Sequence, residues 1–451
     1  MATTYLSKTL SGSPTDNNKW TWSAWVKRSK LGTEQPLFYA DDGGTSYYTN
    51  LRFNDQDEIN FQNRFANSND MYLITNEKYR DTNGWYHIVA VLDTSNSTAA
   101  DRQIIYVNGT RLSNYRTETT STLNKGSTIN DGYQHRIGRG NNVHGSDYFD
   151  GLMSHVHFTD GYVYAASAFG STDSTTGEWE INTTPSVVYG TNGFFILKDG
   201  NSVTDQSGNS NNFTVAGGTL SNTEDCPDNV FAVLNPLQQN NTATTYSNGN
   251  TKGTGTSSTS NFSSTPATLA ASSGKFYAEY KPNLSTTGSS ISGFVNLDTA
   301  NFNATDYYGG NNNMSAGLYD DAGQIMYSTG TNLGSVGALS NGDIVMLAMD
   351  LDNGYLYWGK NGTWFNSANP ATSGGTGGLA LSNLGSNGTY TFMNGNRKSM
   401  GTEWNFGNGF FGTTAVATNS GNGYAGAEGS SIFNYQPPTG YSALSTKGLN
   451  E

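Results

Sequence analysis

His155 and His157 stand two residues apart in Leu152 to Phe158, a run that reads as a β-strand. Residues at i and i+2 of a strand share a face, the arrangement some zinc sites use. Leu152, Val156 and Phe158 form the opposite, apolar face, so the pair is expected to point outward. With no third ligand identifiable, exposed or interface histidines are favoured over a metal centre. Hard oxygen donors occur at Asp41-Asp42-Gly43 and in the stretch Asp205 to Asn212, where Asp41, Asp42, Asp205 and Asn209 are candidate calcium ligands. Asp and Asn also stabilise Asx turns without any ion, and that is the default reading. The acidic run Asp55-Gln56-Asp57-Glu58 reads as a polar hairpin loop, and Glu178-Trp179-Glu180 is isolated. No nucleophile-elbow pattern and no phosphate-binding loop is present despite 55 glycines, so glycine here is turn chemistry.

Sugar binding needs an exposed ring to stack on a pyranose, with amides or carboxylates beside it. Trp20-Thr21-Trp22-Ser23-Ala24-Trp25-Val26-Lys27 alternates, which places Trp20, Trp22, Ala24 and Val26 on a core face and Trp25 on the other. Trp25 is therefore the leading candidate contact, its competing role being to fill a second layer or a subunit interface. Tyr47, Tyr48 and Tyr133 sit in predicted loops near Asn and Asp, and Tyr307, Tyr308 and Trp364 occupy loop or loop-edge positions in the second half.

The elements that must position these residues are almost all strands. Asn353-Gly354 and Asn361-Gly362 flank Tyr355 to Lys360, and each Asn-Gly pair is expected to reverse the chain in a type I′ turn. Helical periodicity is nearly absent, with Val163 to Phe169 the only candidate for a turn or two. A chain of 451 residues is too long for one sandwich core, since single all-β domains run to about 200 to 250 residues. Two domains are expected, 1–221 and 222–451. Only 13% of residues are charged, but 12% are aromatic, enough to fill two cores. The net charge of -13 excludes nucleic acid as an expected partner, because phosphates would be repelled. A single cysteine, Cys226, rules out an intramolecular disulfide framework. The longest apolar run, Ile344 to Met349, is too short to span a bilayer, so no membrane insertion is expected. The opening Met1 to Leu6 lacks a charged segment followed by an apolar core. Synthesis in the host cytoplasm without a signal peptide is the expectation, with release by lysis.

WTWSAWVK (20–27), Gly84 to Val91, Ile105-Tyr106-Val107-Asn108-Gly109 and Phe149 to Phe158 together resemble laminin-G-like, concanavalin A-type sandwiches over most of Met1 to about Phe169. In many members a strand followed by an Asp/Ser/Gly/Asn-rich turn opens the domain. Here Phe194 to Leu197 and Asp205 to Asn212 follow the final strand, which implies a circular permutation. Gly274 to Glu279, Gly342-Asp343, Asn405-Phe406-Gly407 and Pro437 to Tyr441, with the 348–365 hairpin, resemble SPRY domains in motif and order. The resemblances imply an all-β fold of two antiparallel β-sandwich (jelly-roll) domains in tandem. Loops of SPRY-like domains contact partners, which is what gives Tyr307, Tyr308 and Trp364 their interest. Laminin-G-like domains often bind calcium, so calcium is possible here, though no cofactor is required.

The tandem pairing looks like virion structural proteins of tailed bacteriophages, of tail-fibre or surface type. That resemblance implies a virion-surface location, other virion proteins of capsid or tail as partners, a homo-oligomer, and adhesion to a host surface glycan. Glucanases of the concanavalin type carry ExDxxE or ExDxE on one strand, and neither pattern occurs here, so a non-enzymatic protein is expected. A purely architectural capsid-decoration or tail-accessory protein and a host polysaccharide depolymerase are the alternatives.

Overall fold

The computed structural model describes residues 3–140, 147–198, 200, 202–239, 244–256, 262–285, 288–300, 314–320, 322–328, 330–372, 374–385, 387–416 and 423–450. The chain divides into two compact units: Met1–Asn222 with Cys226–Asp228, and Thr223–Asp225 with Asn229–Glu451. Both are antiparallel β-sandwiches, and the described residues contain 3-10 turns but no α-helix. Only Ala166–Ala168 in the 163–169 stretch is helical, and that as a single 3-10 turn.

In the first unit an eight-stranded sheet runs in spatial order Tyr115–Thr119, Ser68–Thr75, Ile59–Phe65, Tyr48–Phe53, Gln35–Asp41, Gln134–Ile137, Tyr5–Thr9, Thr214–Gly217. A six-stranded sheet runs Phe194–Ile196, Gly151–Asp160, Lys19–Arg28, Trp85–Asp93, Gln103–Val107, Thr110–Arg111. Period-two alternation decides what meets between them: Trp20, Trp22, Ala24 and Val26 face Phe38, Leu51, Phe61 and Leu73, all sealed from solvent. The late segment completes both sheets, since Phe194–Ile196 pairs with Gly151–Asp160 and Thr214–Gly217 pairs with Tyr5–Thr9.

The second unit packs a sheet centred on Gly401–Asn405, Lys275–Asn283, Val345–Asp350 and Tyr355–Lys360 against one centred on Tyr390–Arg397 and Ser289–Asn296. Phe276, Tyr280, Phe294, Trp358 and Trp404 fill the space between. Glu279 ties strands to the C-terminal segment. It accepts hydrogen bonds from the Tyr277 hydroxyl, the Asn405 amide and the backbone N–H groups of Asn434 and Tyr435. Burial still lifts its carboxyl to about 7.

Asn361-Gly362 adopts the two left-handed residues of a type I′ turn, as does Asn108-Gly109. The 353–354 turn differs from expectation. Asp350 pairs with Tyr355, so four residues close that hairpin, and only Gly354 is left-handed while the Asp350 carboxylate caps Asn353.

Candidate functional site

The two outer faces of the first unit could each carry a site, and the structure treats them differently. Behind the six-stranded sheet lies Trp25, which is 5% exposed and not an open ring. It stacks on His87, with centroids 5.0 Å apart, and His87 stacks in turn on Trp179 at 5.9 Å. The Trp179 indole N–H, which can only donate, lies 2.9 Å from His87 Nδ1. Nδ1 therefore accepts, and Nε2 carries the proton toward Ser23 Oγ at 2.9 Å. Burial lowers the His87 pKa to about 3, so the imidazole is neutral. The layer responsible is the segment 162–189, whose Ala166 and Phe169 pack on Val89, Val91 and Ile104.

His157 belongs to this second layer as well, and the expected outward histidine pair is not formed. A β-bulge between Ser154 and His157 shifts the register, so that Leu152 and His157 face the covering layer while Met153 and Val156 turn to the core. His157 is buried against Phe195 at 3.9 Å, its Nδ1 bonded to the Tyr189 hydroxyl, and burial holds its pKa well below the usual value. His155, at a positive φ, bonds Ser154 instead. Among the described residues no three His, Cys, Asp or Glu side chains converge as a metal site.

The candidate calcium ligands all make hydrogen bonds or ion pairs within the protein. The Asp205 carboxylate accepts from the backbone N–H groups of Phe195, Ser207 and Asn211 and from the Ser207 hydroxyl. Asn209 donates its amide to the carbonyls of Gly190 and Gly193. Asp41 pairs with Arg136 and accepts from Gly43, and Asp42 accepts from Gly44. The 55–58 run is likewise not a free loop. Arg28 and Arg80 bind Asp57 at 3.0 and 2.9 Å, and Arg116 grips Glu58 at 3.1 and 2.8 Å. Burial pushes the Asp57 carboxyl up, but Gly32 N–H, Arg80 and Arg28 outweigh it and hold the group below its ordinary value.

The outer face of the eight-stranded sheet is built of polar and aromatic side chains. In Tyr48–Phe53 and Ile59–Phe65 the alternation sends Leu51, Phe53, Ile59 and Phe61 to the core and Tyr48, Asn50, Arg52, Asn60, Gln62 and Arg64 outward. Strand register aligns Ser7, Arg136, Tyr39, Asn50, Gln62 and Tyr72 in one transverse row. Tyr39 and Tyr48 stack at 5.7 Å, and the Tyr48 hydroxyl donates to Gln62, whose amide donates to Asn69. Within this network Asn50 is fully buried, yet both its amide nitrogen and oxygen lack a hydrogen-bond partner. The Tyr39 hydroxyl and Asn60 Oδ1 are in the same condition. Such atoms are uncommon in folded proteins and call for a water or ligand partner.

Tyr48 is thus part of this floor and not of a loop. Tyr47 is 38% exposed and packs edge-on against Phe65. Burial and the charges of Asp131 and Asp42, with Tyr47 near by, raise the Tyr133 pKa, which places these loop residues together at one end of the sheet. Trp364 is half-buried on Tyr277 in the second unit, and Tyr307 and Tyr308 lie outside the described residues. Sequence reading missed Tyr39, Asn50, Asn60, Gln62, Arg64 and Tyr72. For Asn50, Asn60, Gln62 and Arg64 the signal was the partial alternation of polar with apolar residues in NLRF (50–53) and INFQ (59–62).

The chain is an all-β protein of two antiparallel β-sandwich units. Residues 3–168 match the family described as the concanavalin A-like lectin/glucanases superfamily. Among solved structures, the chain resembles the SPRY domain of human HERC1 at 12% identity, covering 38% of this chain and 96% of that one, TM-score 0.29. It also resembles a putative carbohydrate binding protein from Bacteroides ovatus at 16% identity, covering 48% and 57%, TM-score 0.34. A heptameric SAP-like pentraxin from Limulus polyphemus aligns at 16% identity over 36% and 71%, TM-score 0.26. No curated protein matches the chain.

Proposed function

We propose that this protein is a non-enzymatic saccharide-binding protein whose binding surface is the outer face of the eight-stranded sheet. The observation that carries the reading is Asn50, a buried amide with free donor and acceptor capacity set among Tyr39, Tyr48 and Gln62. A sugar hydroxyl, which both donates and accepts, complements such an amide. Engaging Asn50 requires the neighbouring rings to swing, so first contact falls on the half-exposed Tyr72, Arg52 and Arg64. The pairing of Asp57 and Glu58 with arginines supports binding without hydrolysis, because neither carboxyl is held as a proton donor.

The tandem of a laminin-G-like and a SPRY-like unit supports a place on the surface of a tailed-phage virion, as a tail-fibre or surface protein. Weak sites repeated over many copies would then hold the particle to host glycans by avidity, with the second unit docking to capsid or tail proteins. The test is a glycan array followed by titration calorimetry with wild type and Asn50→Leu. Binding lost in the variant at unchanged fold supports the reading, and equal binding by both overturns it. Cryo-electron microscopy of particles tests the location, where density over the head alone would favour decoration.

A further inference from the structure

We infer that the saccharide face selects an acidic glycan, and that the Arg64 guanidinium is the group that reads its anionic substituent. This rests on the reading of that face as a saccharide site. Of the arginines on the strands of this sheet, Arg52 is neutralised by Glu34 at 3.0 Å, Arg136 by Asp41 and Arg116 by Glu58 at 2.8 Å. Arg64 is paired with no carboxylate among the described residues. Its one hydrogen bond runs from Nη1 to Asn69 Oδ1 at 3.3 Å, an oxygen already bonded to the Gln62 amide at 2.8 Å. Arg64 Nε is shut off from solvent without a partner.

The position of this charge matters. Register sets Arg64 directly across from Tyr48, with the guanidinium 5.9 Å from the ring centroid, and two positions along the strands from the Asn50–Gln62 pair. A sugar whose hydroxyl reaches the unpartnered Asn50 amide therefore has an uncompensated guanidinium beside it. The planar fork of arginine matches a carboxylate or phosphate in two parallel hydrogen bonds, which a neutral hydroxyl cannot exploit. In a chain of net charge -13, an unneutralised cation on this face opposes the long-range field and acts at contact distance, within a Debye length of about 8 Å at physiological salt.

The test uses the full chain with oligogalacturonate, its neutral methyl ester, dextran and dextran phosphate as calorimetric titrants. Wild type should bind oligogalacturonate or dextran phosphate about ten-fold more tightly than the uncharged counterpart, a difference of about 1.4 kcal/mol. The acidic titrant that shows the preference tells carboxylate from phosphate ester. Arg64→Gln should abolish the preference, so that within this variant the acidic titrant binds no more tightly than its uncharged counterpart. Arg64→Lys, which keeps charge but loses the fork, should retain part of it. Equal affinity for charged and uncharged titrants, or an undiminished preference in Arg64→Gln at unchanged melting temperature, overturns the inference while the saccharide face stands. If none of the titrants binds and a broad glycan array is also empty, the face itself fails and the inference with it.

Discussion

The two outer faces of the first unit bury comparable polar machinery and resolve it in opposite ways. Behind the six-stranded sheet, the covering segment supplies a partner for nearly every group: Trp179 for His87, Ser23 for the other imidazole nitrogen, Tyr189 for His157. Only the Trp25 indole N–H is left over there. Behind the eight-stranded sheet, the Asn50 amide, the Tyr39 hydroxyl and Asn60 Oδ1 have no partner. On the first face the hydrogen bonds largely close within the protein, while on the second they are left open, and that contrast is what the saccharide reading uses.

The largest effect should come from breaking the closed face. Trp179 roofs His87 and lies where a Cβ at Gly109 or Gly170 would fall, so Trp179→Ala should cost about 3 kcal/mol in denaturant unfolding and leave saccharide affinity unchanged. Acid should act on the first unit through two buried histidines, His87 on this face and His135, which lies on Gln134–Ile137 of the eight-stranded sheet beside Phe38. Burial holds His87 at about 3 and His135 at about 4, so between those values and about 6.5 the unfolded chain binds protons that the folded one refuses. Stability is therefore full above pH 6.5 and falls as pH drops, by about 2 kcal/mol per histidine at pH 5, and His87→Gln should flatten the slope. Glu279 in the second unit has the opposite sign: its raised pKa makes its contribution complete below about 4.5 and lost as pH climbs toward 7. Thermal unfolding across pH 4 to 8 should show the first unit weakening in acid more steeply than the second.

Asn50→Leu sharpens the comparison most directly. Because the amide makes no hydrogen bond, an apolar side chain of similar volume should stabilise the unliganded chain by about 1 kcal/mol while removing saccharide binding. The same exchange at His87, whose two nitrogens are both bonded, should destabilise. At the small end, Tyr47→Ala should change stability by less than about 0.5 kcal/mol and weaken glycan affinity a few-fold, read by thermal melt and calorimetry.

Local sequence alone determined most of the strands, the 361–362 turn and the apolar face of strands that run without a bulge. Trp20, Trp22, Ala24 and Val26 went to the core as their alternation requires, because side chains on a pleated strand must alternate. Asn361-Gly362 made its tight turn because asparagine and glycine tolerate left-handed backbone. Alternation can say that Trp25 points away from the core, but not whether solvent or another layer lies there. That was decided by Phe169, Trp179 and Tyr189, more than 140 residues along the chain, which close over it. The bulge that separates His155 from His157 was invisible for a similar reason, since it is a property of pairing with Lys19–Arg28 and not of either strand. Asn50 lay in plain view as a polar residue of an alternating strand. Its isolation arises only when Tyr39, Tyr48 and Gln62 are brought around it by register, and hydrogen-bond satisfaction belongs to the assembled sheet.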